Sequence, residues 1–224
     1  MVARDIKQVW AYSTISQLGF MLMGLGAGSL FAGVFHLTTH AAFKALLFLC
    51  AGVMIHHYGT NDMVAIGRKG GRRLKTAMVA LIVGAGALSG LPPLAGFFSK
   101  ELILAQLAEL NNPLWLGAGL MGVLLTTYYA FRLIFIILFP KKTDDEKAEE
   151  PMASTHGHEM GYHHYRLMAW PLVILAAITL VLGFCQKMLQ LFLTAPPAGM
   201  EELGGNHHTW LLVTALGLAA VGLV

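Results

Sequence analysis

The chain has 224 residues, of which 56% are hydrophobic and only 12% are charged. Soluble domains carry about a quarter charged residues, so this composition excludes an ordinary water-soluble domain. The formal net charge is +3, but the basic residues cluster in particular connections between apolar runs, a pattern that favours membrane orientation over nucleic-acid binding.

Apolar segments follow one another along the chain. Windows of about 19 residues place them at 9–27, 29–55, 76–110, 113–139, 168–193 and 209–224. All but the last have the roughly 20 residues that a full crossing needs. The sequence therefore predicts an all-α integral membrane protein of about six transmembrane helices, with tight connections at 26–28 and 111–113 joining antiparallel neighbours.

The two ends of the sequence differ in character. Residues 1–10 are polar and lack the pattern of a signal peptide. The last apolar run stops at Val224 with no polar tail, so we expect a truncated sequence. The two cysteines, Cys50 and Cys185, lie within apolar runs, where a thiol is expected to be a small buried group.

Lysine and arginine fall on one side of the predicted membrane. By the positive-inside rule this side is cytoplasmic, and it includes the N-terminus of the chain. The residues on this side are Arg4, Lys7, Arg68, Lys69, Arg72, Arg73, Lys75, Lys141, Lys142, Lys147 and Arg166.

The third apolar segment is too long for one straight helix. Residues 75–110 would extend about 54 Å as an α-helix, against a hydrocarbon thickness of about 30 Å. Two prolines and two glycines in the run Gly90-Leu-Pro-Pro-Leu-Ala-Gly96 predict a break, because proline removes a backbone donor and glycine relaxes the chain. Broken helices at membrane depth often mark ion sites.

Three ionisable residues recur every four positions in the second segment: His36, His40 and Lys44. This spacing places them on one helix face. Both residue types can load and unload protons, and a charge in lipid is costly. The alternative is that these groups, with Thr38 and Thr39, only hold helices together; a row that ends in a lysine favours proton handling.

Other charged residues lie in or near the predicted spans. Lys100 follows the predicted break directly, and its alternative role is an ion pair with Glu101, although adjacent residues on a helix do not face each other. Arg132 fits an interfacial anchor or a place on a proton path equally well. Lys187 lies near the end of a segment and is interpreted as an anchor.

The stretch 140–167 is polar. It is interpreted as a solvated loop and not as a metal site, because it lacks cysteines and its spacing fits no closed zinc pattern. The loop contains an acidic run and a group of histidines: Asp144, Asp145, Glu146, Glu149, Glu150, His156, His158, Glu159, His163 and His164.

Several motifs resemble the antiporter-like subunits of respiratory complex I, the NADH-quinone oxidoreductase, and most of all the L-type subunit, called chain 5 in mitochondria. The similarity extends over nearly all of the chain. The motifs are Asp5-Ile-Lys7, Ala11-Tyr-Ser-Thr-Ile-Ser-Gln-Leu-Gly19, Phe35-His-Leu-Thr-Thr-His-Ala-Ala-Phe-Lys-Ala-Leu-Leu-Phe48, the run from Gly90 to Glu101, Tyr128-Tyr-Ala-Phe-Arg-Leu-Ile-Phe135 and Trp170-Pro-Leu-Val-Ile-Leu175.

The resemblance implies roles for particular residues. Lys44 would be the central lysine of a proton channel, His36 and His40 its relay, and Lys100 the terminal lysine in the broken helix; Thr39, Glu101 and Arg132 would be secondary. No cofactor is expected on this chain, because the family's NADH, flavin, Fe–S clusters and quinone belong to partner subunits. The expected location is the bacterial inner membrane.

The chain also departs from the family pattern. It matches only the later part of the second of two inverted five-helix units, so 1–139 is expected to be a partial proton-translocating unit and 168–224 the C-terminal helices. A split subunit with a companion chain, a broken gene and an incomplete gene model remain open. So do three other functions: the large subunit of a multi-subunit Na+/H+ antiporter, the membrane arm of an energy-conserving hydrogenase, and a scaffold or remnant that transports nothing.

Overall fold

A computed structural model describes residues 3–140 and 162–193 of the chain, and this part is helical. A 3₁₀ turn, Gly71–Arg73, lies between the third and fourth helices. The helices are α1 (Ile6–Gly26), α2 (Leu30–Tyr58), α3 (Met63–Arg68), α4 (Lys75–Ser89), α5 (Ala95–Glu109), α6 (Pro113–Leu138), α7 (Tyr162–Phe184) and α8 (Gln186–Leu193).

Side-chain caps fix where four of these helices begin. Asp5, Ser29, Asp62 and Asn112 each accept a hydrogen bond from a backbone N–H in the first turn of α1, α2, α3 and α6 respectively. Such caps satisfy donors that have no partner within the helix. The predicted connections at 26–28 and 111–113 are confirmed by these helix limits.

Helix α2 is the centre of the bundle. It packs against α1, α4, α5 and α7, and its side chains Phe43, Leu46, Leu47 and Cys50 are completely buried. Apolar side chains on the outside, such as Leu114 at 81% exposure, suit a lipid environment. The bundle is therefore held by packing around α2, with apolar residues on both its inside and its outside.

Among the described residues, three helical stretches are long and apolar enough to cross a membrane on their own: α2, α6 and residues 167–184 of α7. Helices α4 and α5 have 15 residues each and together form the long third segment. Helix α1 is long enough, with 21 residues, but it contains a larger share of polar side chains than those three stretches and is not among them. The sixth predicted segment, 209–224, lies outside the described residues.

The predicted break in the third segment is confirmed. Helix α4 ends at Ser89, and Gly90 follows with a φ of 85°, in the left-handed region that favours glycine. Helix α5 begins at Ala95, so Gly96 belongs to α5 rather than to the break. A Cβ atom at Gly96 would lie only 1.7 Å from the carbonyl oxygen of Ala87, so α4 and α5 meet backbone to backbone.

The C-terminal part of the described chain differs from the segment predicted at 168–193. It forms two helices, α7 and α8, which meet at Cys185. Because α7 begins at Tyr162, His163 and His164 lie in its first turn. The acidic run, His156, His158 and Glu159 lie outside the described residues.

The close contact at Gly96 leads to a first prediction. Gly96→Ala should destabilise the protein by about 3 kcal/mol or more, because the new methyl group collides with rigid backbone. Thermal unfolding of the detergent-purified protein measures this. The matched control is Gly117→Ala on α6, where a Cβ meets nothing within 4 Å; an equal loss of stability in both variants would contradict the backbone contact.

Candidate functional site

The row of ionisable side chains on α2 faces the interior of the bundle. His36, His40 and Lys44 are exposed by only 0%, 7% and 6% respectively, and Lys100 on α5 by 3%. The four-residue spacing brings the three α2 side chains to the face that packs against α1 and α5. The protein thus buries four ionisable groups together.

Lys44 is bound by α1. Its Nζ donates to the backbone oxygen of Trp10 and to Oγ of Ser13. The Trp10 oxygen also accepts from the hydroxyl groups of Ser13, at 2.9 Å, and Thr14, at 3.2 Å. The Trp10 carbonyl, inside α1, therefore accepts hydrogen bonds from three side chains. The ammonium group of Lys44 is hydrogen-bonded to neutral oxygen atoms.

Lys100 is bound by the break between α4 and α5. Its Nζ donates to the backbone oxygen of Leu88 at 2.7 Å. In a continuous helix that oxygen would accept from the residue four positions later, but this residue is Pro92, which has no N–H. The negative end of the α4 dipole favours a cation at the same place, and the Phe20 ring centroid lies 4.8 Å from Nζ, within cation–π range.

His36 has partners at both ring nitrogens. Nδ1 lies 2.9 Å from Oγ of Ser99 on α5, and Nε2 lies 3.1 Å from Oε1 of Gln17 on α1. The ring of His40 follows at 6.3 Å, centroid to centroid. Nε2 of His40 is buried and has no hydrogen-bond partner in the described part of the chain.

The arrangement can store and pass protons. Lys44, His40 and His36 follow one another along α2. Ser99 on α5 is hydrogen-bonded to His36, and Lys100 is the residue directly after Ser99. A separation of 6.3 Å between the two imidazole rings exceeds a hydrogen bond, so transfer between them requires a bridging water molecule or a ring rotation.

The residues predicted as secondary have different surroundings. Thr39 donates to Oγ of Ser99 at 2.9 Å, so it lies in the hydrogen-bond network around His36. Glu101 is half-buried on α5, and Lys187 is exposed on α8. Arg132, partly buried on α6, lines a cavity of about 190 Å³, which the sequence did not predict. The other lining residues are Ala3, Val9, Tyr12, Ser13, Ser16 and Tyr129.

Sequence reasoning missed the partners of the predicted row. Ser13 and Gln17 on α1 bind Lys44 and His36, and Ser99 on α5 binds His36. Ser13 and Gln17 are four residues apart, as the histidines are, so the same periodicity in a polar stretch of a membrane helix could have identified them. The role of the Trp10 carbonyl has no signal in the sequence.

The described residues contain no group of three or more histidine, cysteine or acidic side chains that could hold a metal ion. Cys50 is buried, Cys185 is half-buried, and both are free thiols.

Comparisons with known proteins agree with the motifs. The profile of the family described as NADH:quinone oxidoreductase/Mrp antiporter, TM, matches residues 1–126. NADH-quinone oxidoreductase subunit L of Pseudomonas aeruginosa is 39% identical over 99% of this chain and 34% of its own length. Subunit L of Campylobacter jejuni is 39% identical over 80% of this chain and 28% of its own length.

The chain spans about a third of the length of such relatives. NAD(P)H-quinone oxidoreductase chain 5 of Picosynechococcus sp. is 33% identical, and the match includes 100% of this chain and 37% of the relative. Among solved structures, the Mrp complex from Dietzia sp. DQ12-45-1b aligns with a TM-score of 0.69 and 24% identity over 98% of this chain and 24% of that one. This structural similarity establishes a shared fold.

A second prediction concerns the cost of burying Lys44. Lys44→Met should raise the free energy of unfolding by about 1 kcal/mol or more, because an apolar side chain of similar length removes a buried charge that rests on neutral groups. Thermal unfolding in detergent measures the change. Lys187→Met, at an exposed position, is the control and should alter stability by less than about 0.5 kcal/mol. A clear loss of stability in Lys44→Met would mean that Lys44 serves to hold helices together.

Proposed function

The chain belongs to the NADH:quinone oxidoreductase/Mrp antiporter transmembrane family, and on that basis we propose that it forms proton-translocating machinery of an L-type membrane-arm subunit of an NADH-quinone oxidoreductase. The observation that carries the proposal is the buried row of His36, His40, Lys44 and Lys100. Relatives named as subunit L or chain 5 support this choice within the family.

In this proposal Lys44 is the central proton-binding group. Its ammonium group rests on hydroxyl and carbonyl oxygens of α1, which stabilise the charge without neutralising it. Such a lysine can give up its proton when a positive charge approaches, because its partners among the described residues are neutral oxygen atoms. His40 and then His36 accept the proton along the same face of α2.

Lys100 is the terminal group of the row. The free carbonyl of Leu88 and the ring of Phe20 hold its ammonium group at the place where the membrane helix is interrupted. Irregular backbone inside a membrane is tolerated where it borders protein or a hydrated cavity. The break therefore gives Lys100 a neutral acceptor in the carbonyl of Leu88.

The partners of the chain follow from the same proposal. Other membrane-arm subunits would surround it in the bilayer, and NADH, flavin, Fe–S clusters and quinone would be bound by partner subunits. The redox reaction then supplies the energy, and this chain transfers only protons.

We also infer a cytoplasmic N-terminus in a bacterial inner membrane. The start of α1 is joined to the connection before α3 by backbone hydrogen bonds from Ile6 to Asn61, at 3.0 Å, and from Met63 to Arg4, at 2.9 Å. Arg4 and Lys7 therefore lie at the same end of the bundle as α3, whose last turn contains Arg68, and this supports the positive-inside assignment.

The third prediction tests the proposed row. Lys44→Ala and Lys100→Ala, each made in the assembled complex in sealed vesicles, should slow proton transfer through this chain by about tenfold or more and thereby lower the number of protons pumped per NADH oxidised, since each variant removes a proton-transfer group. Lys187→Ala, at an exposed position on α8, should pump normally. Pumping at the wild-type ratio in both lysine variants would refute the assigned roles.

A second candidate function is sodium/proton exchange in a multi-subunit antiporter. It is favoured by the family description, which includes Mrp antiporters, and by the fold shared with the Dietzia Mrp complex. The two functions differ in their driving force. Proton movement that requires NADH and is independent of Na+ supports the oxidoreductase subunit, whereas exchange that requires Na+ and proceeds without NADH supports the antiporter.

A further inference from the structure

Gln17 lies between His36 and a group of hydroxyls on α1 and α6. Its Oε1 is 3.1 Å from Nε2 of His36. On its other side, its Nε2 donates to Oγ of Ser16 at 3.3 Å and to Oγ1 of Thr126 at 3.4 Å. The side chain is completely buried, so these contacts decide how its amide is oriented.

The two hydroxyls require the nitrogen of the Gln17 amide on their side. The Ser16 hydroxyl donates to the backbone oxygen of Ser13 at 3.0 Å, and the Thr126 hydroxyl donates to that of Gly122 at 2.7 Å. Each hydroxyl has a single hydrogen, so both act as acceptors toward Gln17. With these donors, the amide turns its nitrogen to the two hydroxyls and its oxygen to His36.

This orientation determines where His36 carries its proton. An amide oxygen can only accept a hydrogen bond, so Nε2 of neutral His36 must be the protonated nitrogen. Nδ1 is then the basic nitrogen, and it points at Oγ of Ser99 on α5 at 2.9 Å. The choice of tautomer directs the reactive side of the ring toward the helix that carries Lys100.

Ser99 is able to follow a change in the protonation of His36. When Nδ1 is basic, the Ser99 hydroxyl donates to it; when Nδ1 gains a proton, the ring donates to Ser99 instead. The Ser99 hydrogen then has another acceptor in the backbone oxygen of Gly96, at 3.3 Å. A rotation of one hydroxyl thus accommodates both states without moving a helix.

We propose that Gln17 is a positioning residue that fixes the tautomer of His36 and insulates it from the cavity between α1 and α6. Ser16 lines that cavity and lies 3.2 Å from the hydroxyl of Tyr129, which also lines it. Hydrogen bonds connect Tyr129 to Ser16, Ser16 to Gln17 and Gln17 to His36. The amide of Gln17 is the one member of this series that is not a hydroxyl or an imidazole. A neutral amide neither gains nor loses a proton near neutral pH, so no proton passes between His36 and Ser16 through Gln17.

This inference rests on the proposed proton-transfer function. The titratable groups that face His36 are His40 and Lys44 on its own helix, Lys100 on α5, and Tyr129 on α6 behind Gln17. Changes in any of these would also alter a pH profile, so the test varies Gln17 alone and leaves them unchanged.

The experiment compares Gln17→Leu and Gln17→Glu in the assembled complex in sealed vesicles. Gln17→Leu removes the acceptor that fixes the tautomer, so the rate of proton transfer through His36 should fall by about tenfold, the effect of losing one hydrogen bond of about 1.4 kcal/mol. The number of protons pumped per NADH should fall with it, and the pH at which pumping is half-maximal should shift. Gln17→Glu keeps an acceptor for Nε2 but introduces a group that exchanges protons. Its vesicles should pump and also become more permeable to protons when NADH is absent.

Gln8→Leu, at an exposed position near the start of α1, is the matched control and should behave as the wild type. The inference is overturned if Gln17→Leu keeps the wild-type ratio and pH profile. It is also overturned if both Gln17 variants lose pumping equally with no increase in proton permeability, since Gln17 would then act only in packing. Failure of the proposed function is separate: in that case Lys44→Ala and Lys100→Ala pump normally in the same vesicles.

Discussion

The structure depends on how a membrane helix bundle accommodates two buried ammonium groups. Transfer of a lysine to the centre of a bilayer is unfavourable by about 2.5 to 3.5 kcal/mol even on insertion scales. Both Lys44 and Lys100 donate to backbone oxygens, which offset part of that cost while leaving the positive charge in place. A charge stabilised in this way responds strongly to any other charge that arrives nearby, because the surrounding dielectric constant is low.

The two oxygens are produced in different ways. Trp10 lies in the regular helix α1, and its carbonyl accepts additional bonds from side chains. Leu88 lies before the break, and its carbonyl is free because Pro92 cannot donate to it. The same prolines that shorten an overlong helix thus create the acceptor for Lys100, so the break has a structural and an electrostatic consequence.

Between the two lysines, a hydrogen-bond network joins four helices. His36 on α2 is bound by Gln17 on α1 and Ser99 on α5, and Gln17 contacts Thr126 on α6. A network in which each buried polar group has a partner fixes orientations, because an unpaired group in such surroundings is costly. Within the row of ionisable residues, Nε2 of His40 lacks such a partner among the described residues.

Much of this could be read from the sequence, because hydropathy, charge and backbone chemistry act locally. The apolar runs predicted the helices, the Gly-Pro pattern between Gly90 and Gly96 predicted the break, and the spacing of His36, His40 and Lys44 predicted one shared face. The partners Gln17, Ser99 and Trp10 could not be assigned in the same way, since they lie on other helices and a hydrogen bond depends on how those helices cross. The way the helices cross also decides three other features. These are the cavity beside Ser16 and Tyr129, the contact of α4 with α5 at Gly96 and the proposed tautomer of His36. The sequence by itself determined which groups are buried in the membrane; only the tertiary structure decided what each of them binds, because distances between helices are set by packing and not by spacing along the chain.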